Sequence, residues 1–526
     1  MDIRHEAERR RTFAIISHPD AGKTTITEKL LLYAGAIHLA GSVKSRKASR
    51  HAISDWMQME KERGISVTTS VLQFEHRGKA LNLLDTPGHA DFSEDTFRTL
   101  AAVDSAVMLM DHAKGVEPRT QKLFEVCRMR KLPVVTFMNK LDRPGLEPLE
   151  LLDQVSRTLD LKVAPVNWPI GRGPEFRGVV HIATREVSLF EKHGHGEEII
   201  EAKRMPLSAA ESVLGSSLFD SVRADLDLLE GAGERYSHEG FLKGELSPVF
   251  WGSATDNFGV EALLNYLVDH AAQPLARQTE AGQVISPTEE RFTGFIFKIQ
   301  ANMNPRHRDR IAFMRVASGH FERGMDVVIG RSGETLRMAK PHSFLAQERS
   351  LVEEAWPGDI VGVYDSGKLR VGDTLAVGGP LKFAGIPHFA PEHFGKMTLE
   401  DPMRRKALDT GLEQLAQEGV IQLMFRPGEG LANAILGAVG LLQFDVLRER
   451  LANEYNVSAR FERQPFNHAR WVSGPESAIN WLKDRLDCLF VLDSHGNPVV
   501  LAESEWTFKF ALERAKGLEL HTVQPL

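Results

Sequence analysis

The sequence predicts an α/β P-loop nucleotide domain with an inserted subdomain, followed by a β-barrel and a C-terminal α+β domain. Three observations carry this expectation. The chain has 526 residues, too many for one core and enough for about three domains. A strand-like run, Thr12 to Ile16, leads through a polar, Gly-containing loop into a run with Ile26, Leu30 and Tyr33 at helical spacing. Finally, a polar stretch from Gln273 to Glu289, holding Pro274 and Pro287, separates alternating strand and helix patterns from short β-rich runs. The expected boundaries are 1–275 for the nucleotide domain, with the insertion at about 160–245, then 276–384 for the barrel and 385–526 for the last domain.

The loop is Ser17, His18, Pro19, Asp20, Ala21, Gly22, Lys23, Thr24 and Thr25. Four residues separate Ser17 from Gly22, the spacing at which backbone N–H groups curl around a phosphate. Lys23 then reaches the β/γ oxygens and the Thr24 hydroxyl meets Mg²⁺. The following helix points its partially positive N-terminus at the same phosphates. Ser17 stands where glycine or alanine is usual, and its side chain is small enough to be tolerated. Taken alone, the loop would serve an ATPase equally well.

Along the rest of the nucleotide domain, Lys44 to Lys47 and Glu62 to Val67 read as a mobile segment. A strand, Ala80 to Leu84, runs into Asp85, Thr86, Pro87, Gly88 and His89. That places a carboxylate at a strand's C-terminal edge, where open α/β sheets bind ligands. Asp85 is expected to hold Mg²⁺ through water. Gly88 leaves its N–H free for a γ-phosphate, a contact that lasts only while that phosphate does.

Strands at Ala106 to Met110 and Val134 to Met138 follow, the second ending in Asn139, Lys140, Leu141 and Asp142. A carboxylate accepting from guanine N1–H and the 2-amino group rejects adenine, so Asp142 is the candidate for base selection. Pro248 to Trp251 delivers Gly252, Ser253 and Ala254, whose backbone could meet the base oxygen. An amphipathic helix with Val260, Leu263, Leu264 and Leu267 comes next. An Asp-x-x-Gly match alone is expected about twice in a chain of this length, so the order of motifs and their strand-end positions carry the weight. The interval from Asp142 to Ser253 exceeds one strand-helix unit. Its β-like bursts from Val166 to Lys192 and acidic helical stretch to Glu230 read as the inserted subdomain.

Bulk properties bound the function class. A formal net charge of −7 argues against a general polyanion binder while permitting local basic patches. The two cysteines, Cys127 and Cys488, sit in no ligand-spaced motif, which suits a reducing compartment. Met1 to Arg11 is charged, and no run approaches the roughly eighteen apolar residues a membrane span needs. A cytoplasmic protein that contacts no membrane is expected.

In the second domain, Thr293 to Ile299 and Ile311 to Val316 alternate with turns at Gly319, Gly324 and Gly330, the pattern of a small barrel. Within it, Asn304 to Arg310 is a charge run, read either as a solvated turn or as a contact to ribosomal RNA or protein. The last domain shows a helical pattern from Pro402 to Gln417, strands near Ile421 and Ile435, and Phe444, Leu447 and Leu451 on one helical face.

Together, these motifs resemble the translational GTPases, with Arg63-Gly64-Ile65 and Asp85 to His89 characteristic of that group. Arg315 to Gly319, Gly358 to Val361 and Val371 to Leu375 resemble the barrel that follows their nucleotide domain. Gly440 to Leu451 and Glu454 to Val457 resemble the third domain of the elongation-factor-G-like proteins. Only about seventy residues follow, too few for the two further domains of the translocation factor. With Phe297 to Met303, His307 to Arg310 and Asp55 to Glu60, the full length most resembles the bacterial release-factor GTPases of this group. The resemblance implies GTP/GDP and Mg²⁺ as ligands, with Thr24, Ser66 and Asp85 at the metal and His89 orienting the attacking water. Pro19 and Ile65 would flank His89, and Asp20 would lie near the phosphates. It further implies ribosome-stimulated hydrolysis, the ribosome and first-class release factors as partners, contact with ribosomal RNA, and a monomer off the ribosome. Other elongation or ribosome-rescue GTPases, and a non-translational GTP-dependent binding switch, are the rival classes. Asp142→Asn is expected to shift nucleotide preference from guanine toward xanthine in a competition binding assay; unchanged GTP selectivity would place the base site elsewhere.

Overall fold

A computed structural model of the chain describes residues 2–37, 69–190, 202–301, 310–345, 348–386 and 388–524. Ser66 and Ile65, with the rest of Lys44 to Val67, lie outside the described residues, as does Asn304 to Asp309 of the charge run.

The first strand, Arg10–Ser17, is buried along its whole length. Its apolar residues face both ways because helices cover both sides of a parallel sheet. It pairs in parallel with Lys79–Asp85 on one side and Ser105–Asp111 on the other. Val134–Asn139, Leu246–Trp251 and Lys162–Pro165 continue the sheet in parallel. On the other side Ser70–His76 pairs antiparallel with Lys79–Asp85, and at Leu72 it meets the barrel strand Pro341–Leu345. Lys162–Pro165 belongs to this main sheet, and the separate antiparallel sheet of the insertion starts at Asn167–Ile170. Gly178–His181, Glu186–Leu189 and Lys203–Pro206 complete that small sheet, with helices Leu207–Leu214 and Ser216–Ala232 behind it. Asn167 fastens it to the core: its amide donates to Trp251 O at 3.2 Å and accepts from Trp251 N at 2.8 Å.

The stretch expected as a linker is itself structured. Arg277–Gln278 pairs with Val284–Ile285. The Arg277 guanidinium lies 3.6 Å from the Phe295 ring centroid and donates to Ala101 O at 2.9 Å. Its polarity mimics a linker, but the cation stacks on an aromatic face between two domains.

The barrel is built on Thr293–Ala301 and Arg310–Ser318, which pair antiparallel, with Ile360–Tyr364 and Thr374–Ala376 beside them. Ile296, Met314, Val316, Phe321, Val361 and Leu375 fill its interior. Arg310, the described end of the charge run, is buried and pairs with Asp365 at 2.8 Å. It anchors the barrel rather than a solvated turn. The barrel docks on the nucleotide domain through a shared apolar cluster, in which Phe295, Phe313 and Ile360 join Phe97 and Leu100, and through polar groups. Thr12 Oγ1 donates to Gly358 O at 2.6 Å, Arg10 pairs with Asp359 at 2.8 Å, and buried Arg315 pairs with buried Asp104.

The C-terminal domain holds one eight-stranded sheet. Helix Leu442–Tyr455 buries Phe444, Leu447 and Leu451, as its periodicity requires, and Phe444 stacks on Phe461 at 4.0 Å. The last seventy residues add Cys488–Asp493, Pro498–Ala502, His468–Ser473 and Glu519–His521 to this sheet. Among the described residues, no helix is long and apolar enough to cross a membrane.

This domain reaches the nucleotide domain at helix Ser93–Ala102. There Glu94, 2% exposed, pairs with Arg98 and lies 3.5 Å from both His388 Nδ1 and Gln422 Nε2. Arg98 in turn donates to Glu418 O at 3.2 Å. Burial would push the Glu94 carboxyl up, but Arg98 and His388 outweigh it and hold it at about 2, below its ordinary 4.5. A depressed folded-state value contributes stability that is present above pH 4.5 and lost as pH falls through about 2. The size is on the order of 3 kcal/mol. In denaturant titrations across that window, Glu94→Gln is expected to be less stable at neutral pH and to show a flatter acid decline.

Candidate functional site

The C-terminal ends of five neighbouring parallel strands carry, in sheet order, Asp85, Ser17, Asp111, Asn139 and Trp251, and the sequence-selected residues gather around them. The loop turns through two left-handed residues, Asp20 at φ 65° and Gly22 at φ 98°. Aspartate is among the few residue types that accept this conformation. At Gly22 glycine is required twice over, because a Cβ there would lie 2.4 Å from Asn139 Nδ2. Gly22 caps helix Lys23–Tyr33, whose first turn carries half-buried Thr24 and Thr25.

Lys23, 6% exposed, forms an ion pair with Asp85, 1% exposed. The second carboxylate oxygen of Asp85 is buried with no hydrogen-bond partner, as are Ser17 Oγ and His18 Nδ1. Together, three such atoms around one loop can take contacts from a ligand, an ion or water. Gly88 closes over the same place: a Cβ on it would be 3.8 Å from Pro19 Cα and 3.9 Å from Lys23 Cε. His18 Nε2 pairs with Glu117 at 3.0 Å. Burial lowers the His18 pKa, with Glu117 opposing.

Asn139 joins the two ends of the site. Its Nδ2 donates to Ala21 O at 2.7 Å and its Oδ1 accepts from Ala254 N at 2.8 Å, so one side chain sets the phosphate loop and the 252–254 loop in register. Lys140 bridges Asp20 O and Asp111, the latter at 2.8 Å. Burial would raise the Asp111 carboxyl, but the Lys140 hydrogen bond outweighs it and the net shift is downward. Asp142 accepts from Ser253 Oγ at 2.7 Å, which brings the Asn139 to Asp142 run and the 252–254 loop together.

His89 is one-third exposed on the turn after Gly88, with Nδ1 3.2 Å from Asp91 Oδ1. Thr86 directs its hydroxyl to Ile15 O at 2.7 Å, a tie between strands. Pro87 offers its carbonyl to Arg119 at 3.4 Å, and the same guanidinium donates to Ser93 Oγ at 2.9 Å. Burial brings Arg119 down to about 10, with Asp91 opposing. Glu117, Arg119, Asp111 and Asp91 are thus parts of the site that motif spacing did not flag: the first three act on a motif residue from a separate segment, and Asp91 lies just past the end of the motif.

A strand-end phosphate loop, a guanine-type Asn-Lys-x-Asp run and a barrel docked behind them define a translational GTPase. Matching family models divide the chain the same way. The Elongation factor Tu GTP binding domain matches residues 8–273, Elongation factor G domain 2 matches 291–378, and the C-terminal domain of class II release factor RF3 matches 383–512. Peptide chain release factor 3 of Symbiobacterium thermophilum is 51% identical over 517 residues, covering 98% of this chain and 97% of that one. Its namesakes from a Cyanothece species and from Acaryochloris marina are 48% and 49% identical, each covering 100% of this chain and 97% of their own. The chain belongs to the peptide chain release factor 3 family and is a guanine-nucleotide-binding GTPase of translation termination. A crystal structure from Thermus thermophilus shares the fold at a TM-score of 0.69, with 23% identity, over 89% of this chain and 71% of that one.

Gly22 gives the geometry its sharpest test. Gly22→Ala combines a strained φ, worth about 1–3 kcal/mol, with displacement of the Asn139 amide. Fluorescent GDP titration is expected to show nucleotide affinity reduced at least about tenfold, with the far-ultraviolet spectrum unchanged.

Proposed function

We propose that the strand-end site binds GTP and hydrolyses it on the ribosome, and that the cycle promotes departure and recycling of the codon-reading, first-class release factors. The observation that carries the nucleotide reading is the buried Lys23–Asp85 pair with one carboxylate oxygen left unpartnered. A lysine paired this way is poised to exchange its carboxylate for phosphate oxygens, freeing Asp85 toward a divalent cation. Residues Ser17 to Thr25 and Gly88 would hold the phosphates. Asn139, Lys140, Asp142, Ser253 and Ala254 would hold the guanine.

Mg²⁺ fits the donor set of Thr24, Ser66 and Asp85, hard oxygens suited to that ion, and when bound it would neutralise charge on the β/γ oxygens. His89 would orient the attacking water, with Nδ1 engaged by Asp91 and Nε2 left for the solvent side. Arg119 is turned to the Pro87 carbonyl, so among the described residues near His89 it holds the loop instead of neutralising phosphate charge. External neutralisation of this kind is worth about 10³ to 10⁵ in rate, and slow hydrolysis off the ribosome follows. Contact with ribosomal RNA, a cytoplasmic location and a monomeric free state complete the proposal.

The decisive assay is nucleotide-dependent dissociation of a first-class release factor from purified termination complexes. GTP and the full chain are expected to accelerate departure. Failure to pellet with ribosomes in a non-hydrolysable GTP analogue would instead favour a switch outside translation. In single-turnover hydrolysis on ribosomes, His89→Ala is expected to be slowed by about 10² or more; an unimpaired rate would remove its catalytic role.

A further inference from the structure

The turn Ala90–Phe92, directly after His89, is clasped by the start of helix Leu442–Tyr455 in the C-terminal domain. Asp91 lies between them. His89 Nδ1 lies 3.2 Å from Asp91 Oδ1 and 3.3 Å from the Asp91 backbone nitrogen; with the proton on Nδ1 the ring donates to Oδ1 and keeps Nε2 as an acceptor for water. The other Asp91 oxygen, Oδ2, accepts from Leu442 N at 2.7 Å. Leu442 opens its helix, where N–H groups have no intrahelical acceptor, and Leu441 at the N-cap supplies no side-chain cap. The carboxylate that caps this helix therefore comes from another domain, 351 positions away in the chain.

The contact is tight and stiff on the C-terminal side. A Cβ on Gly440 would lie 2.1 Å from Asp91 Cγ, so the backbone before the helix presses directly on the carboxylate. Gln443 fixes that turn: it accepts from Val439 N at 2.8 Å and Gly440 N at 3.1 Å, and donates to Val420 O at 2.8 Å. Phe92, the next residue, is buried against Val446 of the same helix.

We infer that Asp91 is a positioning residue that couples the orientation of His89 to the docking of the C-terminal domain. One oxygen steadies the imidazole while the other is steadied by the domain. When the helix start moves away, the carboxylate loses its second tie and the ring loses its fixed orientation. A force applied to the C-terminal domain thus reaches the hydrolytic centre without contacting nucleotide. The coupling works in both directions, as linkage demands: the state of the His89 turn also biases where the domain sits. This inference rests on the reading of His89 as the residue that orients the water.

The test uses the full chain with Asp91→Asn, which removes the charge, and Gly440→Ala, which wedges the turn from the C-terminal side. Single-turnover GTP hydrolysis is measured across ribosome concentrations, beside fluorescent GDP titration. The saturating rate is expected to fall roughly tenfold or more, the scale of a misplaced catalytic group. The half-saturating ribosome concentration and GDP affinity are expected to stay within about twofold, and neither substitution should add to the defect of His89→Ala. If Gly440→Ala does not fold, Gln443→Ala loosens the same turn and takes its place. Parental saturating rates in these variants, with His89→Ala impaired, would overturn the coupling and leave the His89 reading intact. So would a change confined to the half-saturating ribosome concentration. A parental rate in His89→Ala itself would overturn the His89 reading, and the coupling with it.

Discussion

A lysine and a carboxylate, each almost wholly out of water, lie side by side at the head of the central sheet: Lys23 and Asp85. Neither could be buried alone, since an unpaired charge in such a place costs several kcal/mol. Their pairing requires the strands Arg10–Ser17 and Lys79–Asp85 to run in parallel, with the first passing beyond the second before it turns into the helix of Lys23, which is the register the sheet adopts, with Ile15 opposite Asp85. Every other part of the site is placed relative to that pair. Gly22 and Asp20 bend the loop over it, Gly88 approaches it from the next turn, and Asn139 ties the loop to the base side at Ala254. The pair is also incomplete, because Asp85 Oδ2 and Ser17 Oγ lack partners. A fold that tolerates such orphans holds polar groups of the right kind for phosphate and cation.

Around this centre the domains meet through buried ion pairs set among apolar contacts. Arg315 meets Asp104 between barrel and nucleotide domain, Arg98 and Glu94 meet the C-terminal domain, and Arg450 meets Glu418 at 2.8 Å within it. Buried ion pairs add little net stability relative to well-packed apolar groups but strongly disfavour mismatched arrangements. Between nucleotide domain and barrel they act beside a shared apolar cluster, in which Phe97 and Leu100 belong to the same core as Phe295, Phe313 and Ile360. The apolar cluster supplies cohesion and the ion pairs select the docked geometry.

The local chemistry of the site was legible in the sequence because it depends on spacing along one segment. Ser17 to Thr25, Asp85 to His89 and Asn139 to Asp142 each follow a strand, and a strand end fixes where a motif sits. The helix of Phe444, Leu447 and Leu451 was legible for a similar reason, since one apolar face at a period of 3.6 declares itself. Strands without a motif at their end were not. Lys162–Pro165 has only four residues and passes for a loop, and the partners of both it and Ser70–His76 are chosen by the sheet. Arg277 and Arg310 misled by polarity: each reads as a surface cation, yet one covers Phe295 and the other pairs with Asp365. Nor does any local pattern announce that Asp91 faces Leu442, because that neighbour is chosen by domain docking.

That last contact bears on why a histidine on a short turn can be controlled at all. The turn Ala90–Phe92 has too few internal hydrogen bonds to hold a ring by itself, and His89 keeps one-third of its side chain in solvent. Something outside the nucleotide domain must supply the missing constraint, and the helix start at Leu442 does so through a single carboxylate. A constraint borrowed from another domain is one that domain can withdraw. At the turn itself the tie consists of one charge-assisted hydrogen bond and the Phe92–Val446 contact, next to the Arg98–Glu418 and Phe97–Phe389 contacts of the same interface. The buried Glu94–Arg98 pair, one turn further along, keeps the helix behind the turn in place. Motion of the C-terminal domain is thereby channelled into the turn that bears the histidine, leaving the phosphate loop undisturbed.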